Sequence, residues 1–466
     1  MRLKLLSRLW LIPAISSLAV GAWAADAAPA MKATDPITVN QALEIAFRNN
    51  PDLRIATDAV NRSVGVVAEA RARFNPTLSS QIVQLYQGPA VSVSGAMTGG
   101  QDVTITPPSQ KSARASVFLP LDAFGRLRYS SDIAHDQFQI SYLSLLRTSQ
   151  QLIAQVKRNY YEVLRTCGQA DTAQAAVDVA AVRLKNTDAR YKEGTVPKFD
   201  VTTAQVDLAN LNQNLILARS RVNIAQANFN RVLGISPNAS TQVVKSAIPI
   251  DLASVDIVEA DKTAKAQRPE VKIQQMSIAL SKTNIALQRT GAKPSLGIQG
   301  NYNYVSAQSF SSSNMSYDAA ITLSVPIWDG GVTKAKVDQA YADLYSATDT
   351  LAQVELVVSQ EVSTAALVLE EAAKRTTSTA ESVALAEEAL RLANVRYEAG
   401  IAVLVEVTNA ESQLTQARFN LVNAQYDYAI ALAELQRATS TQPETASLQL
   451  CDYRPALNLT QKPVTN

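Results

Sequence analysis

Two stretches of this chain repeat the same short pattern 206 positions apart: Arg190-Tyr191-Lys192-Glu193-Gly194 returns as Arg396-Tyr397-Glu398-Ala399-Gly400. The same shift carries Leu119-Pro120-Leu121 onto Val325-Pro326-Ile327, Asp200 onto Glu406 and Leu208 onto Leu414. Upstream the shift is 218: Asn50-Pro51-Asp52-Leu53 matches Arg268-Pro269-Glu270-Val271, and Asn75-Pro76 matches Lys293-Pro294. Such a duplication governs the whole fold, because whatever one half forms the other must form as well. The two shifts differ by 12, and the extra residues fall between Pro76 and Pro120. Residues 88–110 there are rich in Gly, Ser, Thr and Pro and read as a longer loop in the first half.

Each half carries two alternating runs of strand length. In Ser316–Ile327, Tyr317, Ala319, Ile321, Leu323, Val325 and Ile327 share one face, opposite Ser316, Asp318, Ala320, Thr322 and Ser324. Leu296, Ile298, Tyr302 and Tyr304 alternate with Gly297, Gln299, Asn301 and Asn303. Ala113, Ala115, Val117, Leu119 and Leu121 alternate with Ser112, Arg114, Ser116 and Phe118, while Thr77–Tyr86 is the least regular run. Runs of roughly 9 to 11 residues suit a membrane strand, and apolar-out, polar-in is the pattern of a water-filled barrel. A soluble sheet with one wet face has the same alternation. Open edges are not tolerated in lipid, so four strands would need other copies to close.

Between the runs lie helices too long for a compact domain. Arg126–Glu193 contains no proline and one glycine, Gly168, and Val332–Ala399 matches it. At 1.5 Å per residue each would reach about 100 Å. Both end at a glycine, Gly194 or Gly400, and Pro197 suits the start of the first returning helix. The returning helices carry heptads: Val407, Leu414, Leu421, Tyr428 and Leu435, with Ala410, Ala417, Ala424, Ala431 and Ala438 three positions on. Val201, Leu208, Leu215, Val222 and Phe229 repeat this in the first half. Large residues at one seam position and mostly alanine at the other permit close coiled-coil contact.

The start of the chain reads as a cleavable secretory signal. Arg2, Lys4 and Arg8 precede an apolar run from Leu9 to Val20, and Ala22-Trp23-Ala24 fits the cleavage rule. No cysteine stands at the cleavage point, so lipidation is not expected. The domain plan is a signal peptide at 1–24, an extension at 25–36, a first repeat at 37–234, an equatorial linker at 235–259, a second repeat at 260–440 and a C-terminal segment at 441–466. The expected strands lie at about 76–87, 111–121, 295–305 and 316–327, and the helical hairpins at 126–234 and 332–440. A net charge of +2 gives no bulk attraction to nucleic acid. A single histidine, His135, two cysteines, Cys167 and Cys451, and no phosphate-binding glycine loop or nucleophile elbow leave no catalytic residue, metal site or cofactor to propose.

The order strand pair, long helix, glycine tip, returning helix, twice over, resembles the TolC-like outer-membrane efflux proteins. The resemblance spans about Ile37 to Ser440. Its most specific words are Arg-Tyr-x-x-Gly at 190 and 396, each with an acidic residue six positions after the glycine. It implies a mostly α protein with a β-barrel contribution: a homotrimer whose twelve strands cross the outer-membrane lipid and whose helices form a periplasmic tunnel. The implied function is a passive exit duct of a tripartite efflux pump or type I secretion system, working with a periplasmic adaptor and an inner-membrane pump. A periplasmic coiled-coil adaptor is the alternative.

By resemblance, Glu406 and Asn409 occupy the positions that ring the tunnel's constriction; the family often has two acids there, so Asn409 halves the charge. Read alone, Glu406 is a solvated helix-start carboxylate favoured by its helix dipole, and it is the resemblance that assigns it to the constriction. Asp200 and Tyr397 match positions that hydrogen-bond across neighbouring coils in the closed state. The family's tip arginine falls at Ala402, so that part of the closing lock is missing. Gly194, Thr195, Val196, Gly400, Ile401 and Ala402 match the tips that adaptors touch. Cys167 lies at the height where the family's belt holds the C-terminal segment, which suggests a disulfide to Cys451.

Overall fold

The computed structural model describes residues 36–89, 91–93, 95, 100, 103–106, 108–245, 255–306 and 313–442. The expected signal peptide, nearly all of the extension at 25–36, the middle of the linker, Cys451 and the C-terminal segment from 443 onward lie outside the described residues. The first half runs α1 (Val39–Asn49), α2 (Pro51–Ala72), β1 (Thr77–Tyr86), β2 (Val91–Val93), β3 (Val103–Thr106), β4 (Ser109–Leu121), α3 (Arg126–Lys192) and α4 (Lys198–Leu233). The second runs α5 (Ile257–Gln267), α6 (Pro269–Arg289), β5 (Ser295–Val305), β6 (Met315–Ser324), α7 (Val332–Glu398) and α8 (Leu404–Ala438).

Local chemistry sets these boundaries. Thr38 and Gln41 form a capping box at the start of α1. Asn50 Oδ1 accepts from the backbone N–H of Asp52 and Leu53, and Pro51 opens α2 where its missing N–H is not needed. Asp256 caps α5 in the same way. At the corresponding joint of the second half Arg268 replaces Asn50. It is buried and paired with Glu361 at 2.7 Å and Glu270 at 3.3 Å.

β1, β4, β5 and β6 form one antiparallel sheet in that order. Its register places Leu296 against Leu323, Ile298 against Ile321 and Leu119, and Tyr302 against Tyr317 and Ala115, so the apolar face is continuous across strands. The opposite face carries Arg114, Asn301, Asn303 and Asp318. Gly297 lies on that face beneath Phe118, whose ring would meet an added Cβ at 2.7 Å. Both sheet edges, β1 and β6, are open, and every residue of both strands is exposed.

Two expectations are corrected. β6 stops at Ser324 rather than 327, because the ladder ends where Pro326 and the partner strand's Pro294 have no donor to give. The segment 88–110, read as loop, contains the hairpin of β2 and β3, with no counterpart among the described residues between β5 and β6.

The helices α3 and α7 have 67 residues each and pack side by side with α4 and α8. All five alanines of the second-half seam, from Ala410 to Ala438, are buried. Val407, Leu414, Tyr428 and Leu435 are buried as well. Near mid-length, Tyr160, Phe229, Ile153 and Leu164 pack with Leu43 of α1, and Val358 and Val362 pack with Val271 of α6. The Tyr160 hydroxyl donates to Val244 O at 2.7 Å, fastening the linker, whose Val243 bridges Ile37. At Gly168 α3 and α8 approach closely: a Cβ there would lie 2.8 Å from Val422 Cγ1.

Candidate functional site

The tips of the two hairpins gather most of the residues singled out in the sequence. Each outgoing helix is stopped by a left-handed glycine, Gly194 at φ 76° and Gly400 at φ 69°. The following amides turn back onto the helix end: Thr195 N–H and its hydroxyl both donate to Arg190 O, and Ile401 and Ala402 N–H both donate to Arg396 O. The tight turn exposes Gly194, Thr195, Gly400 and Ile401, leaves Val196 half-buried, and buries Ala402. Ala402 therefore supports the second tip from beneath rather than lining its surface.

Glu406 stands in the first turn of α8, exposed, with one carboxylate oxygen 3.3 Å from Arg396. Asn409, one turn on, is also exposed on that side. Both side chains thus project from the protomer. Tyr397 is half-buried with the Arg190 guanidinium over its ring, 5.2 Å from the centroid. Its hydroxyl is buried and finds no hydrogen-bond partner among the described residues. Asp200, half-buried in the first turn of α4, is therefore not joined to Tyr397 within one chain. Tyr191, the repeat counterpart of Tyr397, is exposed instead.

A charged triad beside these residues escaped the sequence reading. Arg183 of α3 pairs with Glu411 of α8 and lies 3.7 Å from Asp207 of α4, with only 10% of its side chain exposed. Burial pushes the Glu411 carboxyl above its usual range; Arg183 opposes this and Asp207 adds to it. Each member flanks a residue of a seven-residue series, Leu184 of Val177-Leu184-Tyr191 on α3, Leu208 on α4 or Ala410 on α8, as interhelical pairs in coiled coils do. That flanking was the available signal. Arg183, Asn186, Arg190, Tyr397 and Glu411 share a cavity of about 490 Å³ that opens between the hairpins.

No group of three or more metal-ligating side chains occurs among the described residues. No described helix is long and apolar enough to cross a membrane. Cys167 is half-buried in α3.

Residues 42–235 and 262–441 match the family described as "Outer membrane efflux protein". The chain belongs to the outer membrane efflux protein family. Each matched segment takes in one of the long helical hairpins. Among relatives of this outer membrane efflux protein, "Outer membrane protein TolC" of Vibrio cholerae is 23% identical over 303 residues, covering 64% of this chain and 69% of that one. "Outer membrane efflux protein BepC" of Brucella suis is 22% identical over 423 residues, covering 90% and 89%. The solved Campylobacter jejuni CmeC outer membrane channel superposes with a TM-score of 0.74 at 14% identity, covering 90% of this chain and 89% of that one. The fold is that of the TolC-type channels, a helical tunnel joined to a β-barrel, and this efflux protein is an outer-membrane channel rather than an enzyme.

Proposed function

We propose that three copies of this chain close into a passive duct, the exit component of a tripartite efflux pump or a type I secretion system. The observation that carries this is the sheet. Its apolar face is continuous, yet β1 and β6 each leave their outer edge unpaired. Lipid tolerates no open edge, so β6 of one copy pairs with β1 of the next. Three copies of a four-stranded sheet give twelve strands. The long helices continue the bore through the periplasm, and an inner-membrane pump with its adaptor supplies the energy and the cargo.

On this reading the exposed tips, Gly194, Thr195, Gly400 and Ile401, meet the adaptor. Glu406 and Asn409 surround the threefold axis at the inner end, where three carboxylates repel one another and attract cations. The orphaned Tyr397 hydroxyl and Asp200 serve contacts between coils of neighbouring copies.

The test is direct. Outer-membrane fractions cross-linked with a short amine-reactive reagent should give a species of three chains, and the purified species should conduct in planar bilayers. A chain recovered in soluble periplasmic extracts, with no conductance, would instead favour a coiled-coil adaptor.

A further inference from the structure

The four long strands hold three charged residues, Lys111, Arg114 and Asp318. Lys111 lies on the apolar side of the register, near the outer end of β4. Arg114 and Asp318 lie on the polar side, and side-chain hydrogen bonds fix both. Arg114 Nε donates to Asn303 Oδ1 at 2.8 Å. Asn303 Nδ2 donates to Asp318 Oδ1 at 3.4 Å, and Asn301 Nδ2 donates to its other oxygen at 2.7 Å. One amide thus bridges a cation on β4 and an anion on β6, with β5 between them.

We propose that Arg114 and Asp318 form a ring of alternating charge inside the barrel that holds its bore electrostatically neutral, so that the barrel itself favours neither cationic nor anionic cargo. The proposal rests on the trimeric barrel of the preceding subsection. In the closed order β1-β4-β5-β6, repeated from copy to copy, two strand steps lead from Arg114 to Asp318. Two more, across the junction, lead to the next Arg114. The signs therefore alternate every second strand all the way round, and within one copy they stand at adjacent levels of the wall. Strands are about 4.8 Å apart, so neighbouring charges stand roughly 10 Å apart, close to a Debye length. Fields of alternating sign at that spacing cancel toward the axis. Removing one sign leaves three like charges with nothing to cancel them. The asparagine bridge keeps both side chains along the wall instead of free to swing into the bore.

A local thiol reports this potential without interference from the inner constriction. Ser116 lies on the same face, two residues from Arg114, and pairs with Asn301, which in turn pairs with Asp318. With Cys167 and Cys451 replaced by Ser, a Ser116→Cys chain is labelled in intact cells with trimethylammonium-ethyl and sulfonatoethyl methanethiosulfonates. The ratio of cationic to anionic reagent rates is then read. The parent ratio should match that of a free thiol. Arg114→Gln should raise it about two- to fivefold, Asp318→Asn should lower it by a similar factor, and the double variant should restore it. A reactive thiol whose ratio is unmoved by both single changes, or moved the same way by both, overturns the ring and leaves the barrel standing. A thiol unreactive in cells but reactive after unfolding overturns the barrel reading, and the ring with it.

Discussion

Arg190 of the first hairpin lies over the ring of Tyr397 in the second, 5.2 Å from its centroid. The two come from corresponding words of the duplicated sequence, yet their repeat partners do otherwise: Tyr191 is exposed and Arg396 turns to Glu406. The halves share a backbone plan and have divided the chemistry of the tips between them.

Arg190→Ala should loosen that contact, at a cost of about 0.5–1 kcal/mol. Hydrogen exchange should show amides near 190–200 and 396–406 opening about two- to fivefold faster. Tyr397→Phe keeps the ring and should leave those rates alone. In the assembled channel it removes a hydroxyl that is free to bond a neighbouring coil, so conductance should rise.

Multivalent cations should block the purified channel from the tip side. Glu406→Ala removes the acidic ring and should weaken block several-fold, whereas Arg396→Ala frees the carboxylate and should strengthen it. Block that is unchanged in both variants would take Glu406 out of the constriction.

Acid should act in opposite directions at two heights. At mid-length, burial raises the Glu361 carboxyl, but Arg268 and Arg437 outweigh it and hold it below its usual range. That stabilisation is present above the ordinary glutamate value of about 4.3 and is lost as pH falls through the lowered one. Glu361→Gln should lower the melting temperature at pH 7 and flatten the acid limb, since it leaves the buried Arg268 poorly paired at about 1–3 kcal/mol. At the tip Glu411 is raised, so the unfolded chain ionises first and stability falls as pH rises between the two values. Glu411→Gln should therefore cost less at pH 7 than Arg183→Ala, with thermal melts of the two variants deciding.

Gly168→Ala should destabilise by driving a Cβ into Val422, 2.8 Å away. Overpacking of this kind typically costs about 1–3 kcal/mol. Val422→Ala in the same chain should recover most of it. Denaturant melts of the four combinations give the coupling, and additive losses would show that the helices approach elsewhere.

Much of this was legible in the sequence because periodicity and duplication are local signals. The shift of 206 carries the boundaries of α3, Arg126 and Lys192, onto those of α7, Val332 and Glu398; the shift of 218 carries Val39 and Asn49 of α1 onto Ile257 and Gln267 of α5. Seam alanines such as Ala424 and Ala431 were visible as heptads and are buried. What was not legible depends on how distant helices turn toward each other. Arg183 and Glu411 lie 228 positions apart, and only the rotation of α3 against α8 makes them a pair. The Asn303 bridge likewise needed the strand register. The small hairpin of β2 and β3 hid in a segment whose glycines and serines mask any alternation.

The equal length of α3 and α7 acts as a ruler. Both arms of both hairpins must end at the same tip, so no single helix can lengthen alone. A change in reach must be made in all four arms at once, and in whole heptads, or the seam rotates away from its partner. Seven residues correspond to about 10 Å. The depth of periplasm such a chain can bridge is therefore adjustable only in coarse steps, each needing matched insertions at four places in one gene.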